Sequence, residues 1–357
     1  MLLWTAGKCV ACGGWRERST YPVGMARSHL TLAALATSAV DGLDVAAATS
    51  FGAGQGSDFD SALVTGRDGK HWIIRVPRNP RAEAEQSADL VALRALSTGV
   101  RTRLPFGVST FAGQVPVDGT RGIVYEFVYG GKVPLAGYDA GPDSLAASIG
   151  NAIAAIHSLP TSFVADAGLP VMTAGECLRS CMSIMDRASA SGLVPAALLG
   201  RWERAAEDSK LWQFQPTVVN GTLGAASFLS TDGRVTGVLG WQELRVGDPA
   251  SDLQWLLAAP DPAVTDSAFD AWSAVRGAGD RHVRQRANFY AELEVAKWLL
   301  HGTETRSTEI VDDAVAMLTA LADNLHNDVM NPLAAQTMPT MAIDEVEAYL
   351  ARTERAG

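Results

Sequence analysis

The sequence predicts an α+β fold in two lobes, a small antiparallel sheet followed by a larger and mostly helical half. Three observations carry that expectation. Two alternating apolar stretches, Phe59–Thr65 and His71–Val76, flank GRDG at 66–69, which has the chemistry of a tight hairpin. A helical pattern over 83–97, with Leu90, Leu93 and Leu96 on one face, lies between strand-like segments. From about Ser144 onward, apolar residues recur at helical spacing through most of the chain.

In chain order, residues 1–24 hold Cys9 and Cys12 but no periodic pattern, and read as a non-native or disordered extension before Met25. Leu30, Leu32, Leu35 and Ala36 begin a helix near 29–41. A strand ends near Ser50, and the glycine-containing link Phe51–Asp58 reads as a plain turn or, less naturally, as a phosphate loop. Pro77 and Pro80 close the hairpin, and strands near Val115–Pro116 and Gly122–Phe127 complete a lobe over 25–128. The second lobe, 129–326, is expected to hold helices at 144–158, 173–190, 195–209, 264–275, 279–302 and 308–326. Among them lies a strand–loop–hairpin core within 217–252, where Asp248 caps a helix opened by Pro249. Residues 327–357 read as a linker and a short amphipathic helix, Asp344–Arg352.

Composition narrows the function. The chain has 357 residues, 47% of them hydrophobic, enough to bury a large core. Its net charge is −10 and its basic residues are scattered, which argues against nucleic acid and against an anionic membrane surface. No apolar run approaches the roughly 20 residues of a membrane-spanning helix. Four cysteines, Cys9, Cys12, Cys177 and Cys181, are too few for a disulfide scaffold and read as incidental thiols of a cytoplasmic protein. A signal peptide over Leu30–Val40 is the weaker reading, because its basic flank is Arg27 alone.

The segment 217–252, TVVNGTLGAASFLSTDGRVTGVLGWQELRVGDPASD, resembles the HGDLxxxNVLxxxxxVxGVIDWxxxxxGDPxxD core of the aminoglycoside and macrolide phosphotransferases. WIIRVPR at 72–78, the segment around Leu104–Phe106 and Tyr125–Phe127, and AAIHSLP at 154–160 resemble further motifs of that family, the macrolide enzymes most closely. The likeness runs from about residue 28 to 300. It implies a protein-kinase-like fold and phosphoryl transfer from ATP or GTP to an alcohol.

The same comparison implies that the chemistry has been lost. The histidine of the HGD triplet falls on Asn220 and its aspartate on Thr222. The two metal-binding positions fall on Ser227 and Gly240. Phosphoryl transfer relies on metal ions across the phosphates and a carboxylate that orients the acceptor hydroxyl. Thr222 cannot act as a carboxylate near neutral pH, and losing general-base help costs on the order of 10²–10⁴ in rate. Gly240 offers no metal ligand, and Ser227 offers only a neutral one. Asp232, in a hairpin turn, and Glu243, at a position ordinarily acidic in the family, are the nearest acids and poor replacements.

The remaining positions carry expectations of their own. Arg75 occupies the strand position that faces nucleotide phosphates, with Asp89, or Glu85 one turn earlier, as its acidic partner; a surface salt bridge is the alternative. Glu126 falls in the interlobe hinge, where the resemblance makes it a further nucleotide-binding candidate. Asp248 and Asp252 read as a capping box and a brace for the catalytic loop, and His157 as a core or capping histidine. Trp241, Trp255, Trp272, Phe289, Tyr290 and Trp298 fall where the family builds its acceptor pocket, although such spacing also suits a core. The leading expectation is a pseudokinase without a metal site that binds an unknown small molecule or protein, and holds ATP or GTP weakly, if at all, without magnesium. One alternative is an active small-molecule O-phosphotransferase with non-standard residues. Another is an interaction module whose cleft is filled by side chains and whose C-terminal helix docks.

Overall fold

A computed structural model describes residues 27–52, 57–277 and 279–327 of the chain. The extension 1–24, residues 53–56 of the Phe51–Asp58 link and the helix expected over Asp344–Arg352 lie outside the described residues.

The first lobe starts with α1 (His29–Ala39), capped by the Ser28 hydroxyl, and β1 (Val45–Ser50). Strands β2 (Phe59–Gly66) and β3 (His71–Pro77) pair antiparallel, with Phe59 opposite Pro77 and Thr65 opposite His71. The helix expected at 83–97 begins a turn earlier, as α2 (Pro80–Ala95). Pro80 does not close the hairpin; it opens the helix, where a missing N–H costs nothing, and the Asn79 side chain accepts from Ala82 N at 2.8 Å. A short α3 (Thr98–Arg101) and β4 (Gly107–Val108) lead into the hairpin of β5 (Phe111–Val117) and β6 (Thr120–Glu126). Asp118 and Gly119, both at positive φ, make its two-residue turn. These strands are longer than the sequence suggested.

The sheet order is β1-β2-β3-β6-β5. Strand alternation divides its two faces. Ala62, Val64, Trp72, Ile74, Val76 and Val124 are buried with Leu32 and Ala36 of α1 on one face. Ile123 and Tyr125 face the other way and join Leu90, Leu93 and Leu96 of α2 in the core that continues into the second lobe. Two helices therefore cover the sheet, one on each face.

The second lobe contains α4 (Leu145–His157), α5 (Ser162–Asp166), α6 (Ala174–Ala190) and α7 (Ala196–Glu207). Strands β7 (Thr217–Val219), β8 (Phe228–Thr231), β9 (Arg234–Val238) and β10 (Arg245–Gly247) form the central core. The helix expected after Asp248 is only a 3-10 turn, Pro249–Asp252, although the Asp248 carboxylate does cap it through Ala250 N at 2.9 Å. Helices α8 (Pro262–Arg276), α9 (Val283–Thr305) and α10 (Thr308–Asn327) complete the lobe. Helices α4 and α8 approach closely at Gly150, where an added Cβ would lie 2.1 Å from the Ala268 carbonyl oxygen. Among the described residues, no helix is long and apolar enough to cross a membrane.

Candidate functional site

The catalytic-type loop hangs between β7 and β10, which pair antiparallel with Val218 opposite Val246. Its turn needs Gly221: φ is +92°, and a Cβ would lie 2.7 Å from the Glu243 carbonyl oxygen. The loop is held from behind by Asp252. This carboxylate is fully buried and accepts from Asn220 N at 2.8 Å and Gly221 N at 2.7 Å. It also meets His157 Nε2 at 3.2 Å. The Trp272 indole donates to His157 Nδ1 at 2.9 Å, so Nδ1 is the acceptor and Nε2 faces Asp252 as the donor. The expected brace is present. The capping box is not, because the Asp252 oxygens go to the loop and to His157.

Asp248 anchors the next turn. Arg286, buried to 0% exposure, donates through Nε to Asp248 Oδ2 at 2.7 Å and through Nη2 to Oδ1 at 3.1 Å. It also meets Asp280 at 3.0 Å and the Leu211 carbonyl at 3.1 Å. Every face of this buried guanidinium has a partner, the condition under which a buried ion pair is tolerated.

Of the four positions that depart from the family pattern, Asn220, Thr222 and Gly240 are bonded to one another, and Ser227 bonds its own turn. Asn220, also fully buried, donates through Nδ2 to the Gly240 carbonyl at 2.7 Å and accepts from Thr222 N at 3.2 Å. The Thr222 hydroxyl lies 3.3 Å from Asn220 Oδ1 and 3.5 Å from Gln242 Nε2. Ser227 Oγ accepts from Gly224 N at 3.3 Å. Gly240 has φ +77°, and an added Cβ would meet only Gln242 Oε1, at 3.4 Å. Among the described residues, no group of three or more His, Cys, Asp or Glu is placed to hold a metal ion.

On the facing lobe, Asp89 and Arg75 do not form the expected close ion pair. Asp89 Oδ1 accepts from Trp241 N at 2.8 Å, tying α2 to the residue after Gly240. Arg75 lies 3.9 Å above the Phe59 ring, near enough to Asp89 to favour its charged form. Burial dominates and holds the Asp89 carboxyl above its ordinary range, with the Trp241 N–H and Arg75 pulling it back. Glu85 is not the partner of Arg75; it sits 3.7 Å from Arg81 on the same helix. Glu126 is exposed and pairs in register with Trp72, on the sheet face opposite Arg75, where it lines a groove with Gly107, Thr110 and Thr236.

Two groups were missed in the sequence. The buried Tyr125 hydroxyl has no hydrogen-bond partner, and its pKa is raised by burial and by Asp89. Lys132, just past the hinge, is exposed as a residue, yet desolvation by surrounding protein and then Arg75 lower the pKa of its ammonium. A buried tyrosine and a loop lysine give no periodic signal, so only the folded arrangement relates them to Arg75. The aromatic residues expected near an acceptor pocket are mostly core. Trp241, Trp255, Trp272 and Phe289 are buried, and the three indole N–H groups have acceptors in Val238 O, Asp252 O and His157 Nδ1. Cys177 and Cys181 are buried free thiols whose pKa values burial raises to about 11 and about 12.

Two outcomes follow from these contacts. Asp252→Ala leaves two loop amides and a histidine without their acceptor. It is expected to cost about 3–5 kcal/mol in urea unfolding and to speed amide exchange at Asn220 and Gly221; unchanged exchange would contradict the brace. For Asp89, the native pKa lies above the unfolded value. Its contribution to stability is therefore full below about pH 4 and is lost as pH rises through the native pKa. Asp89→Asn keeps an oxygen for Trp241 and removes the titration. The variant's urea midpoint should gain on the parent's between about pH 4 and 7, and a pH-independent difference would contradict the assignment.

Known proteins share the fold. The sequence profile of the phosphotransferase enzyme family (APH) matches residues 52–299. YcbJ, an uncharacterized protein of Bacillus subtilis (strain 168), is 24% identical over 287 residues, 75% of this chain and 89% of that protein. The fold is similar to macrolide 2'-phosphotransferase MphH from Brachybacterium faecium, with TM-score 0.62 and 24% identity over 78% of this chain and 94% of that one. A type I macrolide 2'-phosphotransferase gives TM-score 0.64 at 23% identity, covering 83% and 99%. The GDP complex of aminoglycoside 2'-phosphotransferase-IIIa gives 0.64 at 18%, covering 80% and 95%. With its sheet lobe, helical lobe and braced loop all within or beside the matched span, the chain belongs to the phosphotransferase enzyme family.

Proposed function

We propose that this chain is a catalytically degenerate member of its family, a pseudokinase that binds a ligand or protein partner in the cytoplasm without transferring phosphate. One observation carries this reading. Thr222, Ser227 and Gly240 stand where the family pattern has its base and metal ligands, and the two hydroxyls are engaged with the loop's own groups. Magnesium needs oxygen ligands, of which one or two are normally carboxylates. Ser227 and Gly240 do not fit that requirement. Asp89, the acid nearest the loop by contact, has one oxygen committed to Trp241 N. The cleft instead presents cations, Arg75 and Lys132. These support weak, magnesium-free contact with the phosphates of ATP or GTP.

The rival reading, an active O-phosphotransferase with relocated groups, would have to use Asp232 or Glu243. Asp232 sits at φ +51° in the tip of the β8–β9 hairpin, and Glu243 is exposed beside Arg245 at 3.8 Å. Neither is favoured by a contact with the loop's polar groups.

Thermal melting with ATP or GTP, with and without MgCl2, tests the proposal. The expected stabilisation is small and the same in both, because a ligand stabilises only through its affinity for the native state. The double variant Ser227→Asn, Gly240→Asp should then gain a magnesium-dependent shift, since Asp tolerates the left-handed backbone and open space lies beside position 240. Strong magnesium dependence in the parent protein, or phosphorylated product from a hydroxylated acceptor that Asp232→Asn or Glu243→Gln abolishes, would overturn it.

A further inference from the structure

A second cavity, of about 260 Å³, lies between the lobes and away from the braced loop. Three cations line it from three separate elements: Arg81 in the first turn of α2, Arg187 in the last turn of α6, and Lys297 on α9. His301 and Glu304 complete the polar wall, and the buried Leu300 contributes apolar floor. We propose that this cavity binds a small organic dianion, a phosphate ester or a dicarboxylate, independently of whether the loop transfers phosphate.

Charge and donor geometry carry the proposal. Glu304 is the only carboxylate among the lining residues, against three cations. Two of those cations have partners along their own helices, outside the lining: Arg81 with Glu85, and Lys297 with Glu294. Arg187 uses one Nη on Glu304. The Arg81–Glu85 contact is 3.7 Å through Nε, too long for a hydrogen bond, so the terminal edge of that guanidinium is available. Arginine forks match phosphate and carboxylate oxygens two at a time, and a lysine ammonium adds a point charge. His301 stacks on Trp298, with ring centroids 5.7 Å apart and planes 18° apart, which fixes that wall. Each cation has a carboxylate partner at a solvent-accessible contact, and such exposed pairs are weak enough for a bound anion to share the cation. Since Arg81 belongs to the sheet lobe and the others to the helical lobe, the bound anion would also tie the lobes together. A cavity this small, below the roughly 300–1,000 Å³ of drug-sized sites, suits a compact metabolite, and its cations disfavour ligands carrying amines.

The test is calorimetric titration of the full chain with phenyl phosphate, succinate and choline at fixed ionic strength. Phenyl phosphate or succinate should bind while choline does not, and the tighter of the two anions identifies the headgroup. Arg81→Gln and Arg187→Gln should each weaken that binding at least tenfold. Lys297→Gln gives a further variant should either fail to fold, as judged from the far-UV circular dichroism of the free protein. The proposal falls if neither anion binds, if choline binds equally well, or if the pocket variants leave the affinity unchanged. It also falls if Arg75→Gln abolishes binding while the pocket variants retain it, because the anion then sits in the cleft above the loop.

Discussion

The loop at the centre of the structure depends first on one buried carboxylate. Asp252 is inaccessible to water, and its charge is compensated by Asn220 N, Gly221 N and the imidazole of His157. A buried acceptor left unsatisfied is costly, so this set of bonds is made together or lost together. Asp248 repeats the arrangement one turn earlier, with Arg286 as its donor. Between them the two acids fix both ends of the core: the loop after β7 and the turn that leads on toward α8. Their partners are backbone amides and side chains behind the loop, which makes the loop's shape largely independent of the residues displayed on its front.

On the proposed reading, that independence lets a phosphotransferase scaffold keep its loop whatever residues its front displays. Asn220 takes over cross-linking by bonding the Gly240 carbonyl, and Thr222 and Ser227 close short local contacts. Electrostatic demand separates fold from chemistry here. A fold needs satisfied donors and acceptors, whereas phosphoryl transfer needs net negative charge to hold metal and net positive charge to hold phosphate. On the proposed reading the cleft retains the second and has little of the first. Likeness to macrolide and aminoglycoside phosphotransferases therefore describes the scaffold, and the substrate has to be sought in the local chemistry of this chain.

Much of this was legible in the sequence, for physical reasons that differ by region. Strict alternation in Phe59–Thr65 and His71–Val76 revealed two strands because one sheet face is buried against α1. The start of α2 was misplaced because Pro80 suits both a hairpin end and the first position of a helix; Asn79, as the capping residue, was the signal that could have decided it. Asp252 was identified as a brace from its place in the motif, but the alternation that sends Glu126 to the face away from Arg75 was overlooked. Asp89 against Glu85 could not be resolved from spacing, since both lie on one helical face and only the approach of Trp241 selects between them. Lys132, the Tyr125 hydroxyl and the Arg81–Arg187–Lys297 cavity exist only through contacts between segments far apart in the chain, and no local pattern announces them.

The most direct measurement is crystallographic, on protein grown with ATP and manganese and recorded at the manganese absorption edge. The account expects no anomalous peak within coordination distance of Ser227, Gly240 or Asp89, whether or not a nucleotide occupies the cleft. A manganese ion bridging the triphosphate and a carboxylate of this chain would contradict it.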